Sequence, residues 1–261
     1  MRYREGNPPL PLSARTGGCD FSSPLGRRLV RALQDAAPGP LLVDTGFPGR
    51  QQAVDRDLNL PDRGPLLFRL WSNQSSIIAS CKQARSPRFA AARAQSAAAG
   101  WPVVARRSGG TAVVHRPGIW NFSLIRFAAP AEDVAIERDY AMLLSVLRQA
   151  MARIGILCDQ GDVPGAHCDG KYNLRWQGRK LAGTAACITR RDGRPLRIFH
   201  AALAVDGSVR EDLAAIERFE RALGEYRDYA RDAHVTVRQI LDENHIGGRP
   251  HDARRPTAMA V

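Results

Sequence analysis

The chain has 261 residues, of which 44% are hydrophobic and 25% are charged, and its formal net charge is +12. This size and composition favour a globular protein with one sizeable core, and no apolar run is long enough for a membrane-spanning helix. The N-terminal residues lack the apolar core of a signal peptide, and the five cysteines are irregularly spaced. We therefore expect a cytoplasmic protein without structural disulfides, and no C-x-x-C pair or Cys/His cluster predicts a metal site.

The basic charge bears on the choice of partner. On charge alone, nucleic acid would be the favoured partner. The arginines are scattered, however, and no aromatic residues alternate with them, so nucleic acid is disfavoured. A basic face would also speed the docking of an acidic protein. The basic charge has an alternative explanation of equal weight, namely that GC-rich coding favours arginine.

The apolar periodicity predicts clusters of strands with helices between them. The clearest helix spans 131–154, and Ser23 is the expected cap of a helix that begins at Pro24. The predicted order is a helix at 25–36, strands at 41–46 and 66–71, a helix at 85–99, strands at 103–104, 112–115 and 120–127, the helix at 131–154, an alternating run at 172–176, a strand at 196–203, and helices at 208–226 and 237–244. This order indicates one α+β domain. We place it at 40–246, after a partly irregular N-terminal extension, 1–39, and before a flexible tail, 247–261.

A thiol and a lysine, Cys168 and Lys180, flank a short alternating run that ends at Gln177-Gly178. That dipeptide is typical of a hairpin turn, which would bring both side chains to one end of a sheet. A lysine near a thiol lowers the thiol pKa and supplies a cation for a developing oxyanion, so the pattern predicts an acyl-transfer site. The plainer alternatives are an inert loop thiol and a solvated turn lysine. We do not expect His167 to act as the base, because neighbours in an extended chain point to opposite faces.

A second motif, R-R-S-G-G-T, spans Arg106 to Thr111 and leads through V-V-H to a Pro-Gly turn and a strand that contains Asn121. Glycines let a backbone curl around a carboxylate or phosphate, and arginines supply charge-assisted hydrogen bonds. Alone the motif is weak, since Gly-Gly turns between strands are common. Its pairing with G-R-K-L-A-G-T-A, which begins at Gly178, makes it specific.

Together these motifs resemble the lipoate–protein ligase and lipoyl/octanoyl transferase family of the biotin/lipoate A/B protein ligase superfamily. The resemblance implies an α+β fold, with a mixed or antiparallel sheet flanked by helices, in a single domain of the class II synthetase or biotin–lipoate ligase type. Thr111 replaces the third glycine of the ligase-like loop, which narrows that loop. The matched positions imply substrate binding by Arg106, Arg107, Ser108, Gly109, Gly110, Thr111, His115, Asn121, Gly183 and Thr184.

Cys168 favours the transferase branch of that family. The ATP-using ligases generally lack a cysteine before the lysine hairpin, whereas the cofactor-independent transferases form an acyl-enzyme on a cysteine near that position. The resemblance thus implies catalysis by Cys168 and Lys180, no cofactor, and octanoate or lipoate as the transferred group. It also implies acidic partners, namely the glycine-cleavage H protein, the lipoyl domains of dehydrogenase E2 subunits and acyl carrier protein, with no membrane involved.

Two alternatives stay open at this point. An ATP-dependent lipoate–protein ligase would use ATP and magnesium to form lipoyl-AMP, with Lys180 at the acyl-adenylate and Cys168 incidental. A non-catalytic module that binds a carrier protein or nucleic acid would fit the basic charge. It would also fit the presence of Ser80-Cys81-Lys82 where the family usually has a glycine–arginine pair.

Overall fold

The computed structural model describes residues 21–46, 49–61, 64–128 and 135–247. Within these ranges the helices are α1 (Pro24–Ala36), α2 (Arg50–Asn59), α3 (Phe89–Ala98), α4 (Ile136–Arg153), α5 (Val209–Leu223) and α6 (Val237–Gly247). The strands are β1 (Leu41–Asp44), β2 (Leu66–Ser72), β3 (Ser76–Ala79), β4 (Val103–Ala105), β5 (Val113–His115), β6 (Ile119–Phe127), β7 (Asp159–Gln160), β8 (Leu174–Trp176), β9 (Arg179–Arg191) and β10 (Arg194–Ala204).

Two sheets organise the protein. The larger sheet has the strand order β1-β2-β6-β10-β9-β8-β7, and its pairs are antiparallel except for β1 with β2. The smaller sheet has the order β4-β3-β5, in which β3 is parallel to β4 and antiparallel to β5. Helices pack on both, so the predicted α+β class with a mixed sheet is confirmed.

The main core lies between the larger sheet and the helices α1 and α4. Ser23 accepts a hydrogen bond from the Gly26 amide, and Pro24 opens α1, as predicted. The apolar faces of α1 and α4 pack on each other and on the sheet, with Leu29, Leu33, Leu143, Leu147 and Phe122 fully buried. Helix α1 lies in the predicted extension 1–39 yet belongs to this core. The domain boundaries remain a prediction, and 1–20 and 248–261 lie outside the described residues.

A second core supports the smaller sheet. Ile77 and Val114 from its strands meet Leu213, Ile216 and Phe219 from α5, and α3 closes the same cluster. Because β4 and β5 flank the glycine loop of residues 106–111, this core fixes both ends of that loop.

Several predicted boundaries were wrong for local reasons. Helix α3 begins at Phe89 rather than at residue 85, since Pro87 cannot continue the short 3-10 turn at Gln83–Arg85. Helix α5 ends at Leu223, where Gly224 adopts a left-handed conformation with φ of 85°. Residues 131–134 of the long predicted helix lie outside the described residues, and α4 is described from Ile136.

The prediction missed α2, β3 and β7. Helix α2 has no apolar stripe, and Ala53 and Asp57 are its buried residues. It packs instead through polar contacts: Asp57 pairs with the fully buried Arg69 on β2, and Arg69 also donates to the Ala53 carbonyl. Among the helices of the described ranges, none is both long and apolar enough to cross a membrane.

Candidate active site

The glycine loop and the cysteine loop meet directly, although they are far apart in sequence. The Thr111 amide donates a hydrogen bond to the Sγ of Cys168 across 3.5 Å. Gly110 has a φ of 91°, and a Cβ built there would lie 2.9 Å from that sulfur. A side chain at Gly110 would therefore strain the backbone and displace the thiol. The structure brings together the two motifs that the sequence singled out.

Arg106 organises the glycine loop from beneath. Its buried guanidinium donates through Nη2 to the carbonyl oxygens of Gly109, at 2.8 Å, and Thr111, at 2.9 Å. These bonds hold the loop in a curl that turns the Thr111 amide towards the thiol. Arg107, the next residue, is exposed and lies on the wall of the adjacent cavity.

Cys168 sits in a tightly held loop with a φ of 47°, an uncommon conformation for a residue other than glycine. The Oδ1 of Asp169 accepts hydrogen bonds from the amides of Val163 and Gly170 and from the side chain of Asn173. Thr184 on β9 donates to the Tyr172 carbonyl at 3.0 Å. Side-chain hydrogen bonds therefore hold this loop in place, and the loop in turn positions the thiol.

Lys180 reaches the same point from the hairpin between β8 and β9. The turn residues Gln177 and Gly178 have φ values of 49° and 75°, as the predicted hairpin requires. The buried Nζ of Lys180 donates to the carbonyl oxygens of His167, at 2.5 Å, and Cys168, at 2.9 Å. A Cβ at Gly183 would lie 3.0 Å from that Nζ, so a side chain there would require the lysine to shift by a few tenths of an ångström.

The electrostatics distinguish Cys168 from Cys158. Burial alone would raise the pKa of its thiol, but the Lys180 cation, the Thr111 N–H and the Arg106 guanidinium outweigh burial and lower it. Burial raises the pKa of Cys158 to about 12, and that residue packs into the main core as predicted. Burial also lowers the pKa of Lys180 to about 8, against the opposing charge of Cys168.

Cys168 and Lys180 line a cavity of about 1170 Å³, a volume that includes its open mouth. Most of the wall is apolar, and it includes Trp71, Ile78, Ile119, Ile198 and Leu213. The shape and lining suit an aliphatic chain whose reacting end lies at the thiol.

Polar side chains also line the cavity, among them Ser108, His115, Asn121 and His200. Ser108 and His200 lie 3.2 Å apart through Oγ and Nε2, and His115 meets Trp71 edge to face. Burial and the Arg106 charge lower the pKa of His200 to about 4 and that of His115 well below its ordinary value. Asn121 completes the group. The sequence prediction missed His200, whose one signal is a histidine inside the apolar strand β10.

The prediction about the direction of His167 rested on an extended chain at this point and was wrong in that premise. Cys168 has a positive φ, and His167 lines the same cavity as Cys168. His234, also missed by the prediction, hydrogen-bonds to the His167 ring at 2.9 Å. It arrives from a segment that pairs with Lys180 through the backbone bonds Lys180 N to Ala233 O and Val235 N to Lys180 O.

Comparison with known proteins places this site in a family. The model of the "Lipoyl protein ligase A/B catalytic domain" matches residues 52–243. The chain belongs to the lipoyl protein ligase A/B catalytic domain family. The family resemblance inferred from the two motifs is therefore confirmed, and the matched region contains the glycine loop, the cysteine loop and the lysine hairpin.

Three similar sequences can be compared with this chain. An uncharacterized protein of Cupriavidus necator is 33% identical over 196 residues, which cover 70% of this chain and 78% of that protein. The "Octanoyl-[GcvH]:protein N-octanoyltransferase" of Kyrpidia tusciae is 35% identical over 137 residues, 52% of this chain and 46% of the relative. The enzyme of the same name from Geobacillus kaustophilus is 30% identical over 59% of this chain and 52% of its own length. The chain thus spans about half the length of these two transferases.

Solved structures share the fold of the lipoyl protein ligase A/B family. A lipoate-protein ligase A bound with ATP superposes with a TM-score of 0.56 at 17% identity and covers 78% of this chain and 81% of its own. The putative lipoate protein ligase Ta0514 of T. acidophilum, with bound lipoic acid, gives 0.55 at 17% identity with the same coverages. These similarities confirm the predicted ligase-like fold.

Proposed function

We propose that this protein is an acyltransferase that moves an octanoyl or lipoyl group between lipoyl-domain or carrier proteins through a thioester on Cys168. One observation carries the proposal: a thiol of lowered pKa is held against the Thr111 amide, beside the Lys180 ammonium, at an apolar cavity. The names of the related octanoyltransferases support the octanoyl group and an H-protein donor.

The proposed reaction has two half-reactions. The Cys168 sulfur attacks the carbonyl carbon of the acyl amide on the donor lysine, and the donor amine leaves with the thiol proton. The acceptor lysine then attacks the thioester, an amide forms, and the thiol is regenerated. The Thr111 N–H and the Lys180 ammonium are the donors that the site offers to each tetrahedral oxyanion. Where the donor carries the acyl group as an amide, one amide replaces another and the exchange needs no ATP. From acyl carrier protein the acyl group leaves a thioester, and the departing thiol takes the proton.

The contacts within the site also bear on the ligase alternative, in which ATP would be bound at the loop and the lysine. Arg106 is engaged with Gly109 and Thr111, and Lys180 is engaged with two carbonyl oxygens. The Cys168 sulfur occupies the space above Gly110. The sulfur therefore lies where a nucleotide phosphate would approach the backbone of the loop, which favours the transferase.

The acceptor and donor are proposed to be acidic carriers: the glycine-cleavage H protein, the lipoyl domains of E2 subunits, and acyl carrier protein. The formal charge of +12 suits such partners, since opposite charges speed encounter. The cavity residues Ser108, His115 and Asn121, with the loop of residues 106–111 and the pair Gly183 and Thr184, are proposed to bind the acyl group and its carbonyl end.

A transfer assay with two arms tests this function. Octanoylated H protein and an unmodified lipoyl domain are incubated with the protein without nucleotide, and in parallel the lipoyl domain receives lipoate, ATP and magnesium. We expect octanoyl-lipoyl domain in the first arm, measured by intact mass, and loss of that product in Cys168→Ser. Product in the second arm alone would establish a ligase. Product in neither arm would favour the non-catalytic binding module.

A further inference from the structure

One segment of the chain is bonded to both of the loops that carry the proposed reacting groups. Residues 230–235, called the strap, lie between α5 and α6. On one side the strap pairs with Lys180, whose amide donates to the Ala233 carbonyl at 2.8 Å and whose carbonyl accepts from the Val235 amide at 2.9 Å. On the other side it contacts the chain just before Cys168. The strap therefore joins the lysine strand to the cysteine loop.

Two hydrogen bonds connect the strap to the cysteine loop. The Ala230 amide donates to the Gly165 carbonyl at 2.9 Å, and a Cβ built at Gly165 would lie 3.0 Å from the Ala230 Cβ. The Nε2 of His234 accepts the backbone amide of His167 at 3.3 Å. Because His167 directly precedes Cys168, the bond from His234 holds the loop one residue away from the thiol.

The ring of His234 is fixed so that Nε2 acts as an acceptor. Its Nδ1 lies 3.0 Å from the carbonyl oxygen of Ala230, and a carbonyl only accepts, so that nitrogen carries the hydrogen. Nε2 then has a lone pair, which faces the backbone amide of His167. Burial and the charge of Lys180 lower the pKa of His234 to about 4, so the ring is neutral at pH 7 and the acceptor is retained.

Helix α5 holds the strap in place. Arg231, within the strap, donates to both carboxylate oxygens of Glu217, at 2.5 and 2.6 Å. Just before the strap, the Tyr229 hydroxyl donates to the fully buried Glu220 at 2.7 Å. Since α5 packs in the second core, the strap has a fixed support, and it in turn holds the two loops.

The reactivity of the thiol depends on how closely these two loops are held together. The Nζ of Lys180 reaches the cysteine loop at the carbonyl oxygens of His167 and Cys168. Burial raises the pKa of the Cys168 thiol, and the charge of Lys180 is the largest of the effects that lower it. The interaction of two charges weakens with distance, so a cysteine loop that moved away from the lysine strand would carry a less reactive thiol.

We propose that His234 is a positioning residue that keeps the Cys168 thiol beside the Lys180 cation, because it accepts the His167 amide from a strap that is itself paired with Lys180. The inference rests on the proposed transferase function for the roles of the thiol and the lysine. Loss of the acceptor at His234 would release the cysteine loop and leave Lys180 in its strand. The expected consequence is a thiol that is less ionised at neutral pH.

Alkylation of the thiol tests this role without an acyl donor. His234→Leu removes the acceptor, whereas His234→Gln offers its Oε1 in place of Nε2. The rate at which iodoacetamide alkylates Cys168 is followed against pH, with the modified site identified by peptide mass. In His234→Leu we expect the profile to move to higher pH and the rate at pH 7 to fall about tenfold. In His234→Gln the rate should stay within about threefold of the wild type.

A double variant separates positioning from a general loss of packing. In Lys180→Met the cation is absent, so adding His234→Leu should change the alkylation rate at pH 7 by less than about twofold. Arg231→Met loosens the strap from α5 and should shift the profile less, in the same direction, and it is the second variant where His234→Leu does not fold. His245→Leu, at an exposed position on α6, should match the wild type.

Three results would overturn the role of His234. They are an equal loss of rate with and without Lys180, a loss in His234→Gln as large as in His234→Leu, and a wild-type profile in His234→Leu. The transferase function has a separate readout, which is octanoylation of Cys168 by octanoylated H protein. A wild-type protein that never forms this thioester, while His234 and Lys180 are coupled in alkylation, would refute the transferase and leave the positioning of the thiol established.

Discussion

The amide of Thr111 points at the sulfur of Cys168, and this contact joins a loop between β4 and β5 to a loop before β8. A backbone N–H at a sulfur stabilises the thiolate, and it also lies where the carbonyl oxygen of an attached acyl group would need a donor. The contact depends on the curl of the glycine loop, which Arg106 holds from beneath through two carbonyl oxygens.

Substitution of Gly110 tests this contact. Gly110→Ala places a Cβ 2.9 Å from the sulfur at a positive φ, so we expect about 1–2 kcal/mol of destabilisation and at least a tenfold loss of Cys168 acylation rate. Gly46→Ala, outside the site, is the matched control, because nothing lies within 4 Å of its built Cβ. Thermal unfolding and single-turnover acylation measure both effects, and equal behaviour of the two variants would refute the close approach.

The charge of Lys180 should set the reactivity of the thiol. Lys180→Met removes the cation that lowers the Cys168 pKa, so that pKa should rise and less thiolate should be present at pH 7. The pH dependence of iodoacetamide alkylation measures this shift. Lys171→Met, an exposed lysine in the same loop region, should leave the profile close to that of the wild type. An unshifted profile in Lys180→Met would contradict the assigned role of the cation.

The buried arginine under the cavity should dominate local stability. Arg69 is fully buried and bonds to Asp44 at 2.8 Å and Asp57 at 2.6 Å. Arg69→Met would leave buried carboxylates without this partner, so we expect a loss of about 3–5 kcal/mol in the free energy of unfolding. The exposed pair of Arg238 with Asp206 is the comparison, and Arg238→Met should cost at most about 1 kcal/mol. Denaturant unfolding measures both losses, and equal losses in Arg69→Met and Arg238→Met would contradict the dominant role of Arg69.

Stability should fall in mild acid because of the cavity histidines. Burial lowers the pKa of His200 and of His234 to about 4, below their unfolded value, so between about pH 6.5 and 4 the unfolded chain binds more protons than the native protein. The lost stability should approach about 1.4 kcal/mol per pH unit for each histidine. His200→Gln should make the dependence shallower in urea unfolding measured across this range, and an unchanged slope would argue against a buried neutral ring.

The sequence was most informative where contacts are local. Cys168 and Lys180 are joined by one short hairpin whose turn residues, Gln177 and Gly178, are recognisable, so their meeting could be predicted from spacing. The glycine loop was equally recognisable from the sequence, because Gly110 must take a positive φ. These local constraints explain why the two motifs could be expected to meet.

The rest of the fold and site depends on contacts between segments that are distant in sequence, and such contacts leave no local signal. His200 faces Ser108 because β10 lies in the middle of the larger sheet, and His234 reaches the site because residues 233–235 pair with Lys180. Helix α2 forms without an apolar stripe, through the contact of Asp57 with Arg69. The chain at His167 and Cys168 was expected to be extended, whereas Cys168 adopts a left-handed conformation that its residue type does not indicate.

The most direct test of the central claim is the intact mass of the protein after incubation with octanoylated H protein alone, before and after hydroxylamine. We predict one octanoyl adduct that hydroxylamine removes, that maps to Cys168, and that is absent in Cys168→Ser but present in Cys158→Ser, whose thiol is packed in the core. An adduct that resists hydroxylamine, an adduct that persists in Cys168→Ser, or no adduct at all would contradict the acyl-enzyme.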